Sequence, residues 1–503
     1  MKTHLVFGAL VALLLVIVIG SRRQKTFDFD DVVILAEQMA RENYMSAVPK
    51  VPAALRELNY DQMRDIRWKS ERTLWRREGL PFQARFYHPG ATKDNPVQIF
   101  VLPDSPGEPL RYSQEFFDFG QNVFREKFSE SLGYAGFRIH HPLNKPDVLD
   151  EVVSFLGASY FRAVPKGLHY GASARGLAID TAVKGHKEEF PAFTKFWLKR
   201  PDRFARSMTI YALLEGHSVT GAYHFEVQPG EETRLAVKAV LFFRKKTEHP
   251  GYAPLTSMYW FGENTSNTFG DFRPEVHDSD GLLMQRGTGE WVWRPLAWSR
   301  QLQVNVFADD HPKGFGLLQR DRDFNHYQDL EALYHKRPGI WVEPQWGFDK
   351  GAVQLVQLPT KDEYLDNVVV FWAPSEPPPI LQPVRLEYVL RWIGEASDLP
   401  PLGRCIATRV DEQDKPYYRH FFLEFAAPPN SPWKPEEVPV VDANTSTEAA
   451  ISDVKIEWND FNKTWRVSFY ASTPKNNKPH ELTCRLTAND RPVTETWSYT
   501  WMP

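Results

Sequence analysis

The sequence predicts an all-β protein, a large antiparallel β-sandwich followed by a small one. Three observations carry that expectation. Apolar and polar residues alternate with a period of two, as in Phe82, Ala84 and Phe86, and again in Tyr223, Phe225 and Val227 set against Ala222, His224 and Glu226. Short apolar runs such as Met208 to Leu214 and Leu235 to Phe243 stop at charge, glycine or proline, and no regular strand-helix alternation calls for a parallel sheet. Aromatics make up 14% of the 503 residues and prolines number 39, a usage suited to many short strands joined by loops.

Length and composition bound the rest. With 42% hydrophobic and 25% charged residues, the chain is globular and long enough for more than one domain. A formal net charge of -4, with acids and bases interspersed, offers no basic face to nucleic acid. The apolar run Leu5 to Ile19, preceded by Lys2 and closed by Gly20-Ser21, marks residues 1–21 as an export segment. It is short for a spanning helix, which needs about 20 apolar residues, and Val18-Ile19-Gly20 is a poor cleavage site. A cleaved signal and an uncleaved anchor both fit, and in either case the body is exported. Cys405 and Cys484 fit either a bridge or two free thiols. No zinc-type Cys/His spacing, glycine-rich phosphate loop or Gly-x-Ser-x-Gly elbow is present, so no metal or cofactor is expected.

In chain order, Asp30 is placed to cap a helix with Val32, Leu35, Ala36 and Met39 on one face, and Asp61 to Trp75 reads as a second helix. Strand patterns begin at Phe82 and fill a large domain, residues 22–393, between loops rich in Gly, Asp, Arg and aromatics at 157–162, 169–180 and 272–281. Proline-rich Phe371 to Pro379 looks like a linker, yet Val384 to Trp392 is a strand pattern able to return to the first sandwich. The linker therefore falls at residues 394–402. Over residues 403–503, Val454, Ile456 and Trp458 alternate into a turn at Asn459 to Lys463, and Trp465, Val467 and Phe469 alternate back as a hairpin. Strands through Leu482, Cys484 and Leu486 and through Trp497, Tyr499 and Trp501 complete a small immunoglobulin-like sandwich.

Reactive residues gather in two acidic loops. In Leu358 to Trp372, a polar loop with Asp362, Glu363 and Asp366 runs straight into an apolar strand, which would hold carboxylates beside a rigid support. The second loop carries Glu275, His277, Asp278 and Asp280 after Arg273. Two carboxyl groups facing each other across a cleft are the usual minimum for cleaving a glycosidic bond. Plainer readings stand beside this one. Asp278-Ser-Asp280-Gly suits an Asx turn, and His277 with the two Asp lacks any recognised metal spacing. Arg273 and Arg294, each before Pro, suit structural ion pairs. Trp260, Trp291, Trp293 and Trp346 suit either sugar platforms or core packing, with Trp260 and Trp346 in the more polar, loop-like surroundings.

Longer motifs add a resemblance. Tyr170-Gly-Ala-Ser-Ala-Arg175-Gly-Leu-Ala-Ile-Asp180, Ala253-Pro-Leu-Thr-Ser-Met258, Arg273-Pro-Glu-Val-His-Asp-Ser279, Gly289-Glu-Trp-Val-Trp-Arg-Pro-Leu296, Gly314-Phe-Gly-Leu-Leu-Gln-Arg320 and Glu495-Thr-Trp-Ser-Tyr499 resemble the glucan biosynthesis protein G and D family of Gram-negative bacteria. The likeness runs from about Phe29 to the end. Without a twin-arginine motif before the apolar run, it leans to the G branch. The resemblance implies a galactose-mutarotase-like large sandwich, a periplasmic location and action on osmoregulated periplasmic glucans with a β-1,2-linked backbone. It also implies β-1,2-glucanase or transglycosylase activity, with protons passed through substrate hydroxyls and water. By motif, the general acid falls on Asp366 and the base on Asp278. Glu363, Asp280, His277, Arg273, Tyr170, Arg175, Trp260 and Trp346 are the supporting or sugar-binding candidates. Glu363 is placed to bind sugar or to keep Asp366 protonated by like charge. A different class of function also fits: a non-catalytic glucan-binding or chaperone-like factor assisting the inner-membrane glucan synthase.

Overall fold

The computed structural model describes residues 26–45, 51–90, 96–265, 270–395, 398–411, 417–445, 448–476 and 478–502. The export segment at residues 1–21 lies outside them. Strands dominate, in two large sheets of fourteen and ten strands and a third of four. Almost every pairing is antiparallel; the exceptions among named strands are Ala192–Lys199 with Gln98–Leu102 and Trp291–Pro295 with Thr496–Trp501.

The alternating patterns place the core. In the strand Val219–Gln228, Tyr223, Phe225 and Val227 are fully buried between the two large sheets, together with Phe137, Phe155, Phe161, Leu255, Val370 and Trp372. Ala222 is also buried, on the opposite face, under the helix Phe29–Ala40. That helix is capped by Asp28 and not Asp30: the Asp28 carboxylate accepts from the Asp30 N–H and Asp31 Oδ2 accepts from the Asp28 N–H, both at 3.0 Å. An acid at Asp31 answers a cap three residues earlier, which fixes the start. Val32, Ala36 and Ala40 are its buried stripe.

The second helix is shorter than its pattern. It spans Tyr60–Asp65, and Arg67–Trp68 turns into a strand pairing with Phe117–Asp118. Trp68 there enters an aromatic cluster with Phe86, Phe117 and Tyr134, a burial that outweighs local helix preference. Three stretches read as loops also contain short strands, Tyr160–Ala163, Ser173–Arg175 and Val276–His277. The strand Pro383–Ile393 does return to the large sandwich, pairing with Thr233–Phe243 and Gly339–Trp346.

The C-terminal hairpin forms as read, Ala450–Asn459 against Thr464–Ser472. Its four-stranded sheet covers a second core with Phe421, Val467, Cys484, Trp497 and Trp501. Trp291, Trp293 and Trp341 from the fourteen-stranded sheet join that core, because the parallel pairing of Val292 with Thr496 carries the sheet across from one part to the other. One buried ion pair ties this junction. Arg320 Nη1 and Nη2 donate to Glu495 Oε1 and Oε2 at 2.5 and 2.8 Å, Arg320 also donates to the Cys405 carbonyl, and the Cys405 N–H donates to Glu495 Oε1. Cys405 and Cys484 are buried free thiols, with no bridge between them. Among the described residues, no helix is long and apolar enough to cross a membrane.

Removing one partner of a buried ion pair strands the other charge. Glu495→Gln is therefore expected to lower the unfolding free energy by about 3–5 kcal/mol, measured by denaturant titration of the full chain. An effect below about 1 kcal/mol, the level of an exposed pair, would contradict this assignment.

Candidate active site

The two acidic loops meet on either side of the segment Met258–Tyr259. The Asn367 side chain acts as a strand edge, accepting from the Tyr259 N–H and donating to its carbonyl, both at 2.9 Å, and donating to the Leu358 carbonyl at 3.0 Å. This pins the base of the loop that carries Asp366. From the other side, the Asp278 N–H donates to the Met258 carbonyl at 2.8 Å, and Ser257 Oγ lies 2.8 Å from Ser279 Oγ. Ser257 is opposite Val368 in the sheet and Thr256 is opposite Ser173. Four strand ends therefore hold the two carboxylates over the margin of the ten-stranded sheet.

Their surroundings differ. Asp278 is buried, and Arg337 Nη1 donates to its Oδ1 at 2.5 Å. Burial pushes the Asp278 carboxyl up; the Arg337 guanidinium opposes that rise and the charge of Asp366 adds to it. Asp366 is open, its side chain 39% exposed, with Arg162 Nη2 3.6 Å from Oδ2. Arg162 is held by Ser173, whose Oγ accepts from Nε at 2.5 Å. Tyr160 borders the same space: burial raises its phenol, Arg175 opposes, and the Glu188 and Asp366 charges add to the rise.

A chain of contacts running on from the Asp278–Arg337 pair joins the two loops. Arg337 stacks on the Tyr334 ring at 4.4 Å, Tyr334 Oη donates to Glu363 Oε2 at 2.5 Å, and Arg273 Nη1 donates to the same oxygen at 2.7 Å. Arg273 further binds Asp271 through Nε and Nη2 and Asp329 through Nη1. Its hydrogen bonds to Asp271 raise it further above the usual guanidinium range, with burial opposing. Glu363 is thus committed to a guanidinium and a phenol.

Behind Asp278, the next residue along the strand points the other way. His277 is buried between Glu275 (2.9 Å), Gln319 (3.0 Å) and Asp280 (3.2 Å). Burial alone would lower it, but the hydrogen bond it donates to Glu275 and the charges of Asp280 and Glu263 hold it at about 9, an imidazolium at neutral pH. Asp280 accepts from the N–H groups of Arg320 and Asp321 and is pushed by burial to about 6. Glu263, whose Oε1 accepts from the Thr408 N–H, is raised well above the usual carboxylate range by burial and by Glu275. His277 and Asp280 instead line a small cavity with Tyr259, Glu263, Asn264 and Arg320. Among the described residues, Glu275, Asp321 and His326 bring ligand-type atoms within 4.8 Å of one another, but the same carboxylates already accept from His277 and His326.

The remaining candidates separate. Tyr170 donates to Glu151 at 2.8 Å on the polar face of the ten-stranded sheet, where Glu151 also meets Arg138 and Tyr87. It borders the site, since the His169 N–H donates to the Lys336 carbonyl and a Cβ on Gly171 would lie 2.9 Å from the Arg337 Cβ. Arg175 is a buried brace, paired with Glu188 and flanked by the Tyr160 and Phe190 rings. Trp260 packs in a small cluster with Phe261, Tyr327 and Tyr334. Trp346 is 67% exposed at the far end of the strand that starts at Gly339, about 23 Å away at some 3.3 Å per residue, so it stands apart from the carboxylates. The reading of the sequence misses Arg337 and Tyr334, and it reaches Tyr160 and Arg162 only as members of the loop at 157–162. Arg337-Pro338 repeats the Arg-Pro pairing of Arg273 and Arg294, a signal that was available.

Comparison with protein families matches residues 27–501 to the periplasmic glucan biosynthesis protein family, MdoG. The chain belongs to this family. It is 44% identical over 492 residues to glucans biosynthesis protein G of Ralstonia nicotianae, covering 95% of this chain and 96% of that one. It is 42% identical to the G protein of Rhodopseudomonas palustris over 486 residues, covering 95% and 94%. It is 40% identical to the probable D protein of Shewanella oneidensis over 483 residues, covering 93% and 87%. Membership ties the chain to periplasmic glucan biosynthesis.

The cluster behind Asp278 has a pH consequence. A His raised from 6.5 to about 9 contributes stability that is fully present below about pH 6.5 and lost as pH rises through 9. Raised carboxyls add to the same trend, since the folded state again holds the proton more tightly. Stability is expected to fall between pH 6.5 and 9, on the order of 1–3 kcal/mol, and Glu263→Gln is expected to make the fall shallower in thermal unfolding scans. A wild-type curve flat over that range would contradict the protonated His277.

Proposed function

We propose that the protein acts in the periplasm on the β-1,2-linked backbone of osmoregulated glucans, as an endo-β-1,2-glucanase or transglycosylase. The observation that supports this reading is the pair of unlike carboxylates flanking Met258–Tyr259, one open and one buried. Two carboxyl groups in contrasting environments suit opposite proton-transfer roles. Asp366 gives its proton to the departing glycosidic oxygen. Asp278 takes the proton released by the attacking water or sugar hydroxyl, passed through hydroxyls and water because its own oxygen is held by Arg337. Burial raises the proton affinity of Asp278, which suits a base, and Arg337 opposes that rise.

The hydrogen bond that already occupies Asp278 also favours a second reading, a non-catalytic glucan-binding factor that assists the inner-membrane synthase. The two part on glucan chain length followed over time, with binding measured in parallel. The enzyme reading expects wild type to shorten or rearrange linear β-1,2-glucan and Asp366→Asn to be slower by about 10²-fold or more while binding it equally well. If both proteins bind the glucan and leave its length unchanged, the binding factor is correct.

Arg337 lowers the proton affinity of Asp278. Arg337→Met is expected to move the acid limb of the kcat/KM profile to higher pH by about one unit, since the base then protonates more readily. A limb that stays in place while activity falls would assign Arg337 to structure alone.

A further inference from the structure

Arg273 ties three loops that are remote in sequence, and each loop turns an apolar side chain outward beside the ion pair it contributes. Asp271 and Arg273 are buried or nearly so, but Phe272 between them is 80% exposed. Asp329 accepts from Arg273, and the adjacent Leu330 is 81% exposed. Glu363 accepts from Arg273, and the adjacent Tyr364 is 89% exposed. Because a single nitrogen, Arg273 Nη1, bonds both Asp329 and Glu363 at 2.7 Å, the two carboxylates are neighbours, and the backbone segments that carry Leu330 and Tyr364 are drawn together with the one that carries Phe272. Tyr364 is two residues from Asp366.

We propose that this Arg273-centred loop cluster is a glucan-binding platform next to Asp366, on which Phe272, Leu330 and Tyr364 take the apolar faces of glucose rings. Arg273 is its positioning residue. The proposal rests on the glucan-processing function above and extends it to a subsite. Sugar rings present an apolar face for stacking and a hydroxyl rim for acceptors, and here exposed apolar groups are interleaved with the acids Asp362, Asp366 and Glu331. A protein partner would favour a contiguous apolar patch depleted of charge. Trp346, the exposed tryptophan, is too far along its strand to serve the same stretch of sugar. Holding three loops by one guanidinium gives the platform a fixed spacing without burying the side chains that make contact.

The test uses the full chain with Phe272→Ala, Leu330→Ala and Tyr364→Ala, singly and together. These side chains lie in water, so thermal unfolding midpoints are expected to match wild type. Affinity for linear β-1,2-glucan is measured by calorimetry in the Asp366→Asn background, which reads binding whether or not the protein turns glucan over. The triple variant is expected to bind at least tenfold more weakly, and with Asp366 restored its KM is expected to rise more than kcat falls. Arg273→Met, which leaves the three side chains in place but unties their loops, is expected to weaken binding as well. If wild type cleaves glucan while the triple variant keeps its affinity and KM within twofold, the platform is refuted and the enzyme reading survives. If glucan is bound but never cleaved and the triple variant still loses affinity, the platform stands and the enzyme reading falls. A change in sedimentation behaviour with unaltered glucan affinity assigns the surface to self-association and refutes the platform.

Discussion

Everything at the site depends on holding two short acidic loops, one ending at Ser279 and one at Asn367, in a fixed relation above a sheet margin. Backbone pairing reaches both, through Ser257 opposite Val368 and Tyr259 opposite His277, and side chains reinforce it. Asn367 and Ser279 fasten the loop bases to the strand end at Ser257–Tyr259, and the relay from Arg337 through Tyr334 and Glu363 to Arg273 fastens their tips. The relay sets Arg337 against Asp278 and Arg273 against Glu363, with the Tyr334 phenol between the two pairs, so each buried charge has a partner. That satisfies the main condition for keeping charge out of water. Asp366 is left outside it, facing solvent and Arg162.

The same economy appears behind the site. Motifs far apart in the chain, Gly314 to Arg320 and Glu495 to Tyr499, meet in the Arg320–Glu495 pair. Arg320 also stacks on Trp293 at 3.6 Å and gives its backbone N–H to Asp280. The C-terminal part thus reaches the residues behind Asp278 through Arg320 and through the Thr408 N–H, which donates to Glu263. A shift of the Thr496–Trp501 strand would be felt at Asp280 and His277, immediately behind Asp278. The family motifs outside the cleft therefore mark the joints that keep the cleft in shape.

Much of this was legible in the sequence. Period-two alternation gave the strands around Phe82, Tyr223 and Trp465 because each buries one face. The acidic residues of both loops stood out because charge beside an apolar strand is conspicuous. Less legible was which direction each charge faces. His277 and Asp278 are adjacent, yet one lines the small cavity with Glu263 and the other pairs with Arg337, a distinction set by a two-residue strand pairing with Tyr259–Phe261. Arg337 and Tyr334 share one short 3-10 turn and Arg162 lies in the strand Tyr160–Ala163, and they acquire meaning only when tertiary pairing assembles them. The helix at Asp61 was overextended because burial of Trp68 is a long-range effect with no local signature. The polar neighbours of Trp346 mark it as exposed, which it is, but sequence does not reveal which end of a strand lies near the carboxylates.

The most direct test of the account is a crystal structure of the Asp366→Asn protein soaked with a linear β-1,2-linked glucooligosaccharide. The account predicts a glycosidic oxygen within hydrogen-bond reach of residue 366, about 2.6–3.2 Å, and an ordered chain of hydroxyls or water leading from the same sugar to Asp278. Sugar bound elsewhere on the polar face of the ten-stranded sheet, with residue 366 still facing bulk water, would contradict it.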